Sequence, residues 1–393
     1  MKRQIIFFIF FMKGKNMNFH MPTKVIFGSG VLSSLNEVLK NEIKATRPML
    51  ITDKGLRASG LVDKVIQQIG AVDVFDEIEP NPKSDTVNRA AILARQNKPD
   101  VIIALGGGSP LDAAKAIALL ATNEGIIEDY EGRAKYKNAP LPLIAIPTTC
   151  GTGSEVTWVA VITDIKRKFK MSVKGPKMFP NFAIVDPDLL RTLPIPTIAA
   201  TGMDALTHAI EAYTVKPATF ITDMIALESI KMISESLEAA VQDIHGNKQA
   251  RENLMYGSTI AGFAFGNSDV GGVHCISESI GALFDVPHGV ANAIFLPYVM
   301  EYNLPECVDR FAEIAAVMGI KAKDKNIAAQ KLLQKIRKLS RAVKIPSFRK
   351  LKIKPQHFEK IAQYSFQNNS NPSNARAATA QDYLGILQKA AGK

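Results

Sequence analysis

Short, continuous apolar runs alternate with helical patterns along the first half of the chain, and this alternation restricts the fold more than any other feature. Runs rich in Val, Ile and Leu are typical of strands that are buried on both faces. Strands are predicted in six segments: KVIFG, PMLITD, VDVFDEI, DVIIALGGGS, LPLIAIPTT and FAIVD. Because each predicted strand is followed by a helical pattern or a turn, the sequence predicts an α/β fold with a parallel sheet covered by helices on both faces.

The pattern changes after the Pro-rich segment LPIP at residues 193–196. From there the apolar positions repeat with helical periodicity and strand-like runs fade. We therefore predict an α/β domain at residues 17–196 and an all-helical domain at residues 197–393, with a small-molecule site in the cleft between them. Residues 1–16 have a basic start and an apolar run too short to span a bilayer, so they are predicted to be a tail or an over-extended start.

Composition and charge restrict the class of protein further. Three cysteines without a CxxC pair fit a reducing compartment, so we expect a cytoplasmic protein. The formal net charge is +11, and the basic segment IKRKFKMSVKGPK leaves open a solvated strand and loop, a nucleic-acid surface, or attraction of anionic cofactor phosphates. Because no nucleic-acid-binding signature accompanies the basic residues and no later segment resembles a transmembrane helix, we expect neither a nucleic-acid nor a membrane partner.

A glycine-rich turn, ALGGGSPLDAAK, joins a predicted buried strand to a predicted helix at residues 104–115. Glycine lets the backbone come close to a phosphate, and a helix N-terminus adds N–H donors and the positive end of its dipole. Ser109 and Asp112 are expected to cap this helix. A tight turn at a strand end is the alternative interpretation, but a position at the carboxyl end of a strand favours phosphate binding.

An aspartate, Asp53, ends the second predicted strand in MLITD. In doubly wound nucleotide-binding domains an acid at this place accepts hydrogen bonds from the adenosine ribose hydroxyls. Its charge would also repel a 2′-phosphate, which favours NAD over NADP. A turn-forming aspartate before KGL explains the residue equally well.

Two otherwise apolar segments of the C-terminal half contain polar residues that we expect to be buried. Asp204 and His208 are spaced i, i+4 in TGMDALTHAIEAY, so one helical face presents both side chains. The segment GGVHCISESIGALFDVPHGVAN adds His274, Glu278 and His288. One carboxylate with three imidazoles suits a divalent ion such as Fe(II) or Zn(II). Spacing alone also allows a buried His–Asp hydrogen bond, and it leaves Glu278 as a candidate fifth ligand.

Four motifs in this order resemble the iron-containing (group III) alcohol dehydrogenases: GGGSPLDAAK, AIPTTCGTGSEVT, ATGMDALTHAIEAY and GGVHCISESIGALFDVPHGVANAIFLPYVMEYN. The likeness continues to the NPSNARAATAQDY tail. It implies a dinucleotide-binding N-terminal domain, a helical metal-binding C-terminal domain, and a homodimer or larger homo-oligomer. The implied reaction is reversible hydride transfer between a primary alcohol, or the corresponding aldehyde, and NAD. Fe(II), with Zn(II) as a substitute, is implied to polarise the alcohol oxygen.

The resemblance also implies roles for individual residues. The implied metal ligands are Asp204, His208, His274 and His288. The implied cofactor-binding residues are Asp53, Asn81, Gly107, Gly108, Ser109, Asp112, Thr148, Thr149 and Lys170. Phe265 is implied to border the substrate.

One residue departs from the family pattern. Many members have a histidine at the position of Glu278, where it approaches the nicotinamide and the substrate without binding the metal. We therefore predict that Glu278 faces the substrate, where a carboxylate could accept a proton, bind a polar substrate group or repel an anionic substrate. Two alternatives stay open. One is a diverged superfamily enzyme acting on a polyol, a hydroxy acid or another polar aldehyde, and the other is a non-catalytic nucleotide- or nucleic-acid-binding protein.

Overall fold

The computed structural model describes residues 18–392, so the predicted tail at residues 1–16 lies outside the described part of the chain. The strands are β1 (Lys24–Phe27), β2 (Pro48–Ile51), β3 (Asp73–Phe75), β4 (Val101–Gly106), β5 (Gly132–Arg133), β6 (Leu143–Pro147), β7 (Val159–Asp164), β8 (Phe169–Lys174) and β9 (Phe182–Val185).

Six of these strands form one parallel sheet in the order β1-β9-β6-β4-β2-β3. They are the six strands predicted from the apolar runs. All six residues of β4 are buried, and its side chains alternate between two hydrophobic cores: Ile102 joins one, Ile103 the other. Both faces of the sheet are therefore covered, and the predicted α/β fold class is confirmed.

The helices on the sheet are short or of middle length. They are α1 (Leu35–Glu37), which continues as a π-helical segment, α2 (Lys54–Ala58), α3 (Leu61–Ile69), α4 (Ser84–Asn97) and α5 (Gly108–Thr122).

A second, three-stranded sheet has the order β5-β8-β7, with β7 and β8 antiparallel. The basic segment at residues 165–177 forms the turn of this hairpin and β8. Met171 and Val173 are buried in the core, whereas Lys170 lines the cleft described below. The interpretation as a solvated strand and loop is therefore correct only for the turn.

After β9 the described chain is helical. The helices are α6 (Ile195–Thr214), α7 (Phe220–Gln242), α8 (Lys248–Phe265), α9 (Gly272–Phe284), α10 (His288–Val317), α11 (Lys325–Ala342), α12 (Phe358–Gln367) and α13 (Ala380–Ala390). The predicted boundary between residues 196 and 197 falls in the first turn of α6, and the division into two domains stays a prediction. Within residues 18–392, no helix combines the length and apolar character that crossing a membrane requires.

Helix α6 is the centre of the helical half. Sixteen of its twenty residues are buried, because α7, α8 and α10 all pack against it. A helix enclosed on all sides has no solvated face for polar side chains. Asp204, His208 and Glu211 are nevertheless buried on α6, so each needs a partner inside the protein.

Candidate active site

A cleft of about 1470 Å³ lies between the carboxyl ends of the parallel strands and the helical half. All the residues predicted for the site line this cleft: Asp53, Asn81, Gly107, Gly108, Ser109, Asp112, Thr148, Thr149, Lys170, Asp204, His208, Phe265, His274, Glu278 and His288. They come from both halves of the chain, as expected for a site at the edge of a parallel sheet.

Four of these residues meet at one end of the cleft. Asp204 and His208 extend from α6, His274 from α9, and His288 is the first residue of α10. One ligand atom from each lies within 4.8 Å of all the others. Such a set of one carboxylate oxygen and three imidazole nitrogens can hold Fe(II) or Zn(II).

The hydrogen bonds around two of the imidazoles determine which nitrogen faces the centre of the cluster. His208 Nδ1 lies 3.1 Å from the carbonyl oxygen of Gly151, which can only accept a hydrogen bond. His274 Nδ1 donates to the carboxylate of Glu211. With Nδ1 protonated, each neutral ring directs the lone pair of Nε2 inward, and the two Nε2 atoms are 2.9 Å apart. Two lone pairs at this distance fit a shared cation.

Glu211 was not predicted from the sequence, although it lies one helical turn after His208. Its carboxylate also accepts the backbone N–H of Gly271 at 2.9 Å and of Val273 at 2.7 Å. It therefore fixes both the start of α9 and the orientation of the His274 ring. The sequence signal for Glu211 was that it is a third acidic or histidine residue, after Asp204 and His208, in the otherwise largely apolar helix α6.

We expect Glu211→Gln to weaken divalent-metal binding by roughly 10- to 100-fold, because an amide orients and polarises the His274 ring less well than a carboxylate. Isothermal titration of the metal-free protein measures this loss. The exposed Glu235→Gln on α7 is the matched control. Equal affinities of Glu211→Gln and the control would contradict a role for Glu211 in metal binding.

Asn292 was also missed. It lies one turn after His288 on α10 and is fully buried. Its amide nitrogen approaches Asp204 Oδ1, His274 Nε2 and His288 Nε2 at 2.6, 3.0 and 3.1 Å. Asn292 therefore contacts three of the four residues in the cluster.

Burial sets the protonation of the cluster. It raises the pKa of Asp204 to about 6, against the opposing effect of His274. Burial and the neighbouring His274 hold the pKa of His208 well below its ordinary value, and burial with Lys170 does the same for His288. Burial also opposes charge on His274, but the Glu211 carboxylate outweighs it and raises the pKa of His274.

The N-terminus of α5 also lines the cleft. No side chain caps this helix, so the prediction that Ser109 and Asp112 cap it is wrong. The first-turn N–H groups, together with the helix dipole, are a suitable site for a phosphate. A Cβ on Gly108 would lie 2.6 Å from Thr152 Cγ2, so glycine is required for the turn to pack on the loop after β6.

The Asp112 side chain makes its hydrogen bonds to other elements instead of capping α5. Its carboxylate accepts hydrogen bonds from Ser154 Oγ at 2.6 Å and from the Val161 N–H at 3.0 Å. The buried Lys115 Nζ is 3.7 Å away and also donates to Ser154 Oγ. Asp112 therefore connects α5 to the loop after β6 and to β7, close to the glycine-rich turn.

Asp53 follows β2 and caps α2, because Oδ1 accepts the Leu56 N–H at 2.9 Å. The turn-forming interpretation is therefore correct, and it does not exclude ribose binding, since Asp53 also lines the cleft. Further along the cleft, Asn81 accepts from Lys170 Nζ and donates to Asp285, both at 2.8 Å. This chain links the two halves of the protein across the cleft.

Phe265 and Glu278 line the same cleft as the cluster. Phe265 stacks on the His208 ring with a centroid distance of 4.3 Å. Glu278 lies one turn after His274 on α9, is half-buried, and accepts a hydrogen bond from Asn368 Nδ2 at 2.6 Å. The four-residue cluster does not include Glu278.

Comparison with known proteins agrees with this geometry. Residues 22–187 match the family model of iron-containing alcohol dehydrogenase, and residues 198–391 match the C-terminal model of the same family. The chain belongs to the iron-containing alcohol dehydrogenase family. It is therefore an oxidoreductase, and the resemblance inferred from the four motifs is confirmed.

Individual family members are similar over almost the whole chain. A 1,3-propanediol dehydrogenase of Klebsiella pneumoniae is 38% identical over 96% of this chain and 100% of its own length. An NAD-dependent methanol dehydrogenase of Bacillus methanolicus is 37% identical over 95% of this chain and 99% of its own length. The crystal structure of a 1,3-propanediol oxidoreductase superposes with a TM-score of 0.92 at 37% identity, covering 96% and 100% of the two chains.

Proposed function

We propose that this protein is a metal-dependent, NAD-linked alcohol dehydrogenase and aldehyde reductase with its reaction centre at the four-residue cluster. The observation that carries the proposal is the convergence of the Asp204 carboxylate and the inward Nε2 lone pairs of His208 and His274 at the end of a cofactor-sized cleft. A non-catalytic nucleotide- or nucleic-acid-binding protein would have no use for this buried donor set.

Asp204, His208, His274 and His288 are the proposed ligands of Fe(II) or Zn(II). When bound, such an ion supplies Lewis-acid polarisation of the alcohol or aldehyde oxygen. Phe265 covers one face of His208 and keeps water from that side of the site. Glu278 faces the space beside the cluster, where its carboxylate can hold a substrate proton or a polar substrate group.

The cofactor is proposed to lie along the cleft, with its pyrophosphate at Gly107, Gly108 and Ser109 and its adenosine ribose at Asp53. Thr148 and Thr149 are proposed to line the cofactor, and Lys170, held by Asn81, to lie close to it. When bound, NAD would supply the hydride acceptor, and the residues lining the cleft would hold it beside the four-residue cluster. The charge of Asp53, which would repel a 2′-phosphate, favours NAD over NADP.

Replacing Asp53 by serine tests the cofactor preference. Serine can still cap α2 but lacks the charge that repels a 2′-phosphate. We expect the ratio of kcat/KM for NADP to that for NAD to rise by at least about tenfold, which corresponds to roughly 1.4 kcal/mol. An unchanged ratio would remove Asp53 from the proposed ribose site.

The reaction itself is tested by NADH formation from anaerobically purified protein with a panel of short alcohols, diols and hydroxy acids. Each assay is run with Fe(II), with Zn(II) and after chelation. We expect turnover only when a metal is present, and the rates of NADH formation should rank the substrates. A protein that binds metal but turns over no alcohol with either cofactor would contradict the proposal. Cytoplasmic location and a homodimeric or larger assembly remain part of the proposal.

A further inference from the structure

We infer that Asn292 is a positioning residue of the metal centre, whose side-chain amide holds the ligand atoms of α6, α9 and α10 in place for the ion. This inference rests on the proposed function, because it assumes that the four-residue cluster binds a metal. It adds a residue from outside that cluster.

The position of Asn292 joins the three helices that carry the cluster. It lies four residues after His288, so both side chains are on one face of α10. From there its Nδ2 reaches Asp204 Oδ1 at 2.6 Å on α6 and His274 Nε2 at 3.0 Å on α9. It also lies 3.1 Å from His288 Nε2. One amide nitrogen thus contacts every helix that supplies a ligand.

The hydrogen bonds of the Asn292 amide are all directed at the proposed metal ligands. An amide nitrogen has two hydrogens, but three polar atoms, one carboxylate oxygen and two imidazole nitrogens, surround Nδ2 here. The opposite end of the amide, Oδ1, is buried without a hydrogen-bond partner among the described residues. Within residues 18–392, the Asn292 side chain therefore makes polar contacts only with members of the cluster.

A buried asparagine with a purely structural role has different contacts. Asn123, also buried, donates from Nδ2 to the Leu119 and Asn138 carbonyls and accepts at Oδ1 from the Lys137 and Asn138 N–H groups. Both ends of the Asn123 amide therefore hold backbone groups in place. Asn292 instead presents an uncharged donor to a carboxylate, which orients Asp204 without neutralising the charge that attracts a cation.

The test is titration of the metal-free full-length protein with Co(II), whose visible d–d bands report ligand geometry directly and without turnover. Wild type, Asn292→Ala and the control Asn123→Ala are compared, and far-UV circular dichroism identifies folded samples. If Asn292→Ala does not fold, Asn292→Ser takes its place, since the shorter serine keeps a small polar side chain but lacks the amide that contacts the three ligand atoms.

We expect the folded Asn292 variant to bind Co(II) roughly 10- to 100-fold more weakly than wild type and to shift its d–d bands. The control is expected to lose thermal stability while keeping the wild-type affinity and spectrum. Wild-type affinity and bands in the folded Asn292 variant would overturn the inference and leave the proposed function intact. A wild-type protein that binds no Co(II) would overturn the metal site and this inference together.

Discussion

Asp204→Asn is expected to abolish tight metal binding and to lower kcat/KM by at least about 10³-fold, while the metal-free protein becomes more stable. The loss in rate follows because a Lewis-acid ion contributes several kcal/mol to transition-state stabilisation, and about 1.4 kcal/mol corresponds to a factor of ten. Asparagine keeps the shape of the residue and still offers Asn292 an acceptor oxygen, so the packing of α6 is preserved.

The gain in stability comes from removing the buried charge of Asp204. Because burial raises the pKa of Asp204 from 3.8 to about 6, the folded metal-free protein binds a proton that the unfolded chain releases between these pH values. Its free energy of unfolding therefore falls as pH rises from about 4 to about 6, by an amount on the order of 3 kcal/mol. Asp204→Asn removes this dependence. Metal binding to wild type, conversely, weakens as pH falls through about 6, because the proton competes with the ion.

Metal analysis, steady-state kinetics and thermal unfolding with and without Zn(II) measure these effects. Added Zn(II) should raise the melting temperature of wild type, since a ligand that binds only the folded state stabilises it, and should leave Asp204→Asn unchanged. The exposed Asp63→Asn on α3 is the matched control. Wild-type metal content in Asp204→Asn would remove this residue from the ligand set.

The large features of the fold could be predicted because each follows from local pattern. Continuous Val/Ile/Leu runs identified the strands of the parallel sheet, and helical periodicity indicated that the chain after residue 196 is helical. The hairpin of β7 and β8 was not resolved from the sequence, because its strands alternate buried and half-buried residues and its turn is strongly charged.

The site could be predicted only as far as motifs and residue types carry information. The residues of the four-residue cluster are noticeable because Asp and His are rare in apolar segments. Glu211 and Asn292 belong to the same segments, but their partners are Gly271, His274 and Asp204, which only the packing of α6, α9 and α10 brings within reach. The prediction that Asp112 caps α5 was wrong for the same reason: its contacts, Ser154 and Val161, are more than forty residues further along the chain.

Glu278→Ala is expected to keep the metal and to lower kcat by about 10²-fold or more, the range usual for losing a positioned proton-transfer group. Glu278 is on the same face of α9 as His274, but its carboxylate is held by Asn368 and lies outside the four-residue cluster. Truncation should therefore remove a group of the proposed substrate side and leave the proposed ligands in place. The dependence of kcat/KM on pH should change with it.

One further variant separates proton transfer from substrate binding at this position. Glu278→Gln keeps the hydrogen bond capacity toward a polar substrate but cannot take up a proton, so a proton-transfer role predicts a loss in kcat similar to that of Glu278→Ala. A binding role predicts instead a rise in KM for diols with kcat largely kept. Asn368→Ala, which retains the carboxylate, and the exposed Glu235→Ala are the controls. Loss of the metal from folded Glu278→Ala would show that Glu278 is a ligand, and the assignment to the substrate side would then be wrong.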